Sequence, residues 1–106
     1  MPRRDDVNPT QGFRPPDRYL HWEVDEPYWR EHFRERPYAT ADRDFAFYSG
    51  AYRYGFESAH KYRLNNWDEI ESDLAVGWDG YEHRGETAWE HAKHAVRDAW
   101  DRVRNR

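Results

Sequence analysis

The feature that most constrains this chain is a reversal of the usual apolar inventory: 19 aromatic residues (6 Trp, 8 Tyr, 5 Phe) against nine Leu, Ile and Val together. By aliphatic content alone such a chain would be called disordered. Two observations oppose that. The net charge is only −4 although 36% of the residues are charged, so self-repulsion is weak. Each Trp, Tyr or Phe can also bury roughly 150–250 Å². The expected core is therefore thin and aromatic, with Tyr hydroxyls and Trp N–H groups at its rim. At 106 residues, one domain is expected, with a high ratio of surface to volume.

The rest of the composition excludes several classes. There is no cysteine, hence no disulfide framework and no thiolate metal site. No stretch approaches the roughly 20 apolar residues of a membrane span, and the first residues lack the apolar run of a signal peptide. A cytoplasmic protein is the default expectation. A sequence pI near 5.8 lacks the basic footprint that phosphate binding requires, so nucleic acid is not an expected partner.

All six prolines lie at or before Pro37. Residues 1–24 carry four of them and read as an extended, partly disordered N-terminal arm. Residues 25–106 read as a single helical domain. A first helix is expected from an Asp25 cap, with Pro27 in its first turn, to Arg36, where Pro37 ends it. A second opens near Thr40 or Asp42. Its stripe is Phe45, Tyr48, Tyr52, Phe56 and Ala59, and Gly55 inside it predicts close approach of another helix. A third starts at an Asn66–Glu69 capping box and carries Trp67, Ile70 or Glu71, Leu74 and Trp78. The fourth starts at a Thr87-x-x-Glu90 box and carries Trp89, Ala92, Val96, Ala99, Trp100 and Val103. No segment sustains period-2 alternation. The predicted fold is an all-α, compact four-helix bundle.

The second and fourth helices superimpose at a constant offset of 44. Phe45 then matches Trp89, Ala51 matches Ala95, Arg53 matches Arg97, Gly55 matches Ala99 and Phe56 matches Trp100. Asp25-Glu26 matches Asp68-Glu69, and Tyr38 matches Tyr81, at an offset of 43. The pattern predicts two duplicated helical hairpins, residues 25–62 and 67–104, about a pseudo-twofold axis.

The run Ala51-Tyr52-Arg53-Tyr54-Gly55, the segment Trp67-Asp68-Glu69-Ile70-Glu71, and Ala95-Val96-Arg97-Asp98-Ala99-Trp100-Asp101-Arg102-Val103 together resemble a group of small uncharacterised bacterial proteins over roughly residues 28–103. The resemblance implies a bacterial, cytosolic, stress- or envelope-associated setting. It brings no activity and no catalytic residues.

Chemistry-bearing motifs are sparse. Glu57-Ser58-Ala59-His60 matches the E-x-x-H half-site of di-iron bundles, but the matched half has Lys93 three after Glu90, so no metal site is expected. His91 and His94 lack a spacing that demands a third ligand. No phosphate loop, Ser elbow or Cys nucleophile is present, and no catalytic residue or cofactor is expected. Two functional readings follow. The first is a non-enzymatic interaction or structural protein, stress-related, with a protein partner or as a homo-oligomer, using Tyr19, Trp22, Tyr28, Tyr38, Tyr54 and Tyr81 as exposed aromatics. The second is a small-ligand or metal binder in which Arg53 and Arg97, with His60 and Glu57, line one groove across the pseudo-twofold.

Overall fold

A computed structural model of the chain describes residues 21–105. It has four α-helices: α1 (Trp22–His32), α2 (Phe45–Lys61), α3 (Trp67–Trp78) and α4 (Trp89–Arg104). A short 3-10 turn, Phe33–Glu35, extends α1. No strand occurs among the described residues. Helix α1 packs on α2, α3 on α4, and the α2–α4 contact is the most extensive.

The α2–α4 contact follows from small residues on both helices. A Cβ on Gly55 would overlap the Val96 carbonyl oxygen and lie 3.0 Å from the Ala99 Cβ. Ala51, Ala95 and Ala99 are buried alongside. The helix-weakening glycine is thus kept because backbone meets backbone there. Around this seam the expected stripes are buried: Phe45, Tyr48, Tyr52, Phe56 and Ala59 on α2, and Ala92, Val96, Ala99 and Trp100 on α4.

The helix starts depart from expectation in three places. Helix α2 begins at Phe45 with Asp44 at its cap position, later than Thr40 or Asp42, because the chain turns through 40–43 first. Helix α1 begins one turn early, at Trp22, with His21 at its cap position. Trp22 is only 7% exposed and sets its ring 5.8 Å from Phe56. That packing draws the chain into the helix before the acidic pair. Asp25 is therefore not a cap; it lies inside α1, 1% exposed, 3.8 Å from Arg102 Nε. Pro27 lies inside the helix too, on its exposed side, where water can replace the missing hydrogen bond. At the other end Arg36 is extended (φ −83°, ψ 146°), as a residue preceding proline should be. Helix α4 begins at Trp89 with Ala88, not Thr87, at its cap. The Thr87 hydroxyl donates instead to the Phe47 carbonyl at 2.8 Å and is buried. The expected box there does not form, because a tertiary acceptor holds its hydroxyl. The Asn66–Glu69 box on α3 is complete in both directions.

The two halves repeat each other in their contacts. At an offset of 45, the buried positions Trp22, Asp25, Trp29 and Phe33 of α1 fall on Trp67, Ile70, Leu74 and Trp78 of α3, all buried. The partners match as well. Trp22 meets Phe56 as Trp67 meets Trp100, at 5.8 and 5.7 Å. Phe33 meets Phe45 as Trp78 meets Trp89, at 5.5 and 6.3 Å. The acidic pairs Asp25-Glu26 and Asp68-Glu69 are not equivalent, since the helices align two residues away from that match.

Candidate functional site

Two tyrosines that follow the first helix of each hairpin reach across to the second helix of the other. Tyr38, after α1, donates its hydroxyl proton to Asp98 of α4 at 2.5 Å. Its oxygen is 2.8 Å from the Tyr52 hydroxyl, which must then be the donor to it. Arg36 closes on the same carboxylate through Nε at 2.7 Å and Nη2 at 3.2 Å. Tyr81, after α3, donates to Glu57 Oε1 of α2 at 2.8 Å, and Arg53 Nε donates to Oε2 of that carboxylate at 2.9 Å. Each crossing thus joins a tyrosine, a carboxylate and an arginine.

The Tyr81 crossing lies at a cleft of about 300 Å³ between α2 and α3, lined by Tyr54, Glu57, Ser58, Lys61, Tyr62, Asp73, Leu74, Gly77 and Tyr81. Its shape has a local cause. The Tyr54 hydroxyl donates to the Leu74 carbonyl at 2.8 Å, and the ring passes over Gly77, where a Cβ would lie 2.6 Å from that hydroxyl. Tyr81 is turned back on α3 by its N–H to the Trp78 carbonyl, and its ring lies tilted against Tyr54 at 4.6 Å. At the other end, Lys61 Nζ lies 5.3 Å from the centre of the Tyr62 ring. The Tyr38 crossing separates two shallower clefts, both lined by Arg36 and Asp98; one adds Tyr28, Asp101 and Arg102, the other His94 and Arg97.

The structure therefore gathers Arg53, Glu57, Tyr54 and Tyr81 into one neighbourhood. It sends Arg97 elsewhere: Arg97 stacks 5.1 Å over Trp67, pairs with Asp101 at 3.4 Å, and lines a cleft with Pro37 and Tyr38. The two arginines serve different clefts and do not line one groove as expected. His60 packs edge-on to Phe56 at 4.7 Å. Among the described residues no group of three or more His, Cys, Asp or Glu side chains could hold a metal ion. Of the expected exposed aromatics, Trp22 is buried and Tyr28, Tyr38, Tyr54 and Tyr81 are half-buried, because the core draws on their rings in place of aliphatic residues. Tyr28 lies beneath the Arg102 guanidinium at 3.6 Å. Tyr19, and most of the expected arm, lie outside the described residues. Sequence reasoning missed Arg36, Asp98, Lys61, Tyr62 and Asp73. Only Lys61 had a local signal, sharing a helical face with Tyr54 and Glu57.

The hydroxyls in both crossings are held neutral. Burial, then the hydrogen bond to Asp98, raises the Tyr38 pKa well above the ordinary 10.0, and burial does the same for Tyr52. Burial, then the bond to Glu57, raises Tyr81. Tyr54 is pushed up to about 12, by burial first and nearby Tyr62 second. An unfolded chain loses these protons near pH 10.0 while the folded one keeps them. Stability is then fully present below that pH and lost as pH rises through the folded values. Alkaline titration should show tyrosinate absorbance and helix loss in one joint transition above pH 10.0. Tyrosinate from all eight tyrosines appearing with helicity intact would contradict the crossings.

No helix among the described residues is long and apolar enough to cross a membrane. No family model, curated protein or solved structure matches the chain.

Proposed function

We propose that this chain is a non-enzymatic interaction protein whose recognition face is the outer side of α3 with its flanking loops, and whose partner presents a basic segment. The observation that carries this reading is charge segregation. Between Trp67 and Glu86 there are seven acidic side chains and one arginine, a local net of −6 against −4 for the whole chain. All but Glu71 of the seven are exposed. Opposite the buried stripe of α3 stands a second one, Asp68, Ser72 and Val76, with Val76 76% exposed and Leu64 92% exposed in the preceding loop. Apolar side chains framed by one sign of charge are suited to a partner of the other sign, which the field steers and the apolar groups hold.

The clefts support a binding role over catalysis for a chemical reason. Asp98 and Glu57 are engaged with Arg36 and Arg53, and the Tyr38 and Tyr81 phenols are held neutral far above working pH. No poised acid–base pair results. A photo-crosslinker at position 76 should capture a basic segment in the cell, with a yield that falls as salt is raised. The same group at exposed Glu31 on α1 should not. Equal capture at both positions, or capture insensitive to salt, would overturn the assignment.

A further inference from the structure

We propose that the cleft between α2 and α3 receives an organic ammonium group, presented as a lysine side chain or its methylated form by the basic partner. The inference rests on the interaction reading above and names what its deepest contact recognises. Three phenol rings, Tyr54, Tyr62 and Tyr81, line the cleft together with two carboxylates, Glu57 and Asp73. Aromatic faces attract cations through their quadrupole, most strongly where water is partly excluded. Burial raises the pKa values of Tyr54 and Tyr81, which keeps those two faces intact at any physiological pH. Glu57 spends one lone pair on Tyr81 and one on Arg53, which leaves acceptor capacity on a carboxylate whose side chain is 43% exposed.

The chain itself already sets one ammonium beside a wall of this cleft. Lys61 lines the cleft and holds its own ammonium 5.3 Å from the Tyr62 ring centre. Lys61 is an exposed residue at the last turn of α2, so its long stem can swing into solvent. An incoming ammonium then takes its place over Tyr62, in a cleft also lined by Glu57 and Asp73. The exchange conserves charge in the cleft. Lys61 is thus an internal competitor, and its removal should strengthen binding. A site that used Lys61 to hold an anion would behave in the opposite way.

The test is a titration of the full chain with tetramethylammonium chloride, read by the ring resonances of the tyrosines, with sodium chloride at equal ionic strength as control. Saturating shifts are expected at Tyr54, Tyr62 and Tyr81 and not at Tyr28. Lys61→Met, which keeps the stem and removes the charge, should tighten binding roughly fivefold. Tyr62→Leu should abolish it. Shifts matched by sodium chloride, or weaker or unchanged binding by Lys61→Met, overturn the proposal; the Lys61→Met result decides alone should Tyr62→Leu fail to fold. An acetylated Gly-Lys-Gly peptide and its trimethyl-lysine form should compete for the same rings, and failure of both to compete overturns the side-chain source. The crosslink at position 76 is read separately. If it persists while the titration fails, only the ammonium site falls; if it is lost, the interaction reading falls with it.

Discussion

Gly55→Ala should lower stability by roughly 3 kcal/mol or more, although the same change in an exposed helix would add about 1 kcal/mol. The new Cβ would overlap the Val96 carbonyl oxygen, an atom fixed in the backbone of α4. Nothing flexible can yield, so α2 and α4 must separate along the seam. Ala51, Tyr52, Ala95, Val96 and Ala99, each at most 1% exposed, would lose contact together. For a domain of this size the melting temperature should fall by about 15 °C. Gly80→Ala is the control, because a Cβ there meets nothing within 4 Å. Thermal unfolding followed by circular dichroism compares the two. A Gly55→Ala protein that melts with the parent would show that the helices do not approach as described.

Trp78→Ala should cost about 3–5 kcal/mol, the range for removing a buried aromatic side chain. Trp78 is 1% exposed and touches Tyr54 at 5.2 Å, Tyr81 at 5.6 Å and Trp89 at 6.3 Å. Its indole N–H also donates to the Thr87 carbonyl at 2.8 Å, tying the loop before α4 to the end of α3. Trp78→Phe separates the two contributions. It keeps most of the ring area and loses the bond, so a loss of about 1–3 kcal/mol is expected from the stranded carbonyl and the smaller ring. Urea unfolding of both variants reads the difference. Equal losses would mean that the hydrogen bond, not the ring, carries the residue's role.

The parts of this fold that were legible in the sequence are those with local periodicity. The stripes of α2 and α4, the Asn66 capping box and the close approach at Gly55 all follow from spacing and residue size. What escaped depends on partners far along the chain. Asp25 has the residue type of a cap, yet Trp22 carries the helix past it and buries it beside Arg102. Thr87 has the capping-box pattern, yet a carbonyl 40 residues away takes its hydroxyl. The equivalence of α1 and α3 escapes local pattern for the same reason: the acidic pairs do not mark matching positions, whereas the buried Trp22 and Trp67 do. In the cleft, the Arg53–Glu57 pair is visible as a spacing of four. Its link to Tyr81 spans 24 residues, and the Arg36–Asp98 pair spans 62, distances at which spacing carries no signal.

The crossed tyrosines bear on how quickly the chain can reach its native state. The central seam joins residues about 44 apart, and Tyr38 reaches Asp98 across 60. An up-and-down bundle closes each contact with its sequence neighbour; here the principal seam waits until both hairpins exist. Most of the entropy of closing the intervening loop is lost before α2 meets α4. Relative to helical proteins built from local contacts, this topology places the chain at the slow end of the all-α range, nearer milliseconds than microseconds. Formation of the α2–α4 seam is then the expected rate-limiting event, and changes along it should slow refolding more than they speed unfolding.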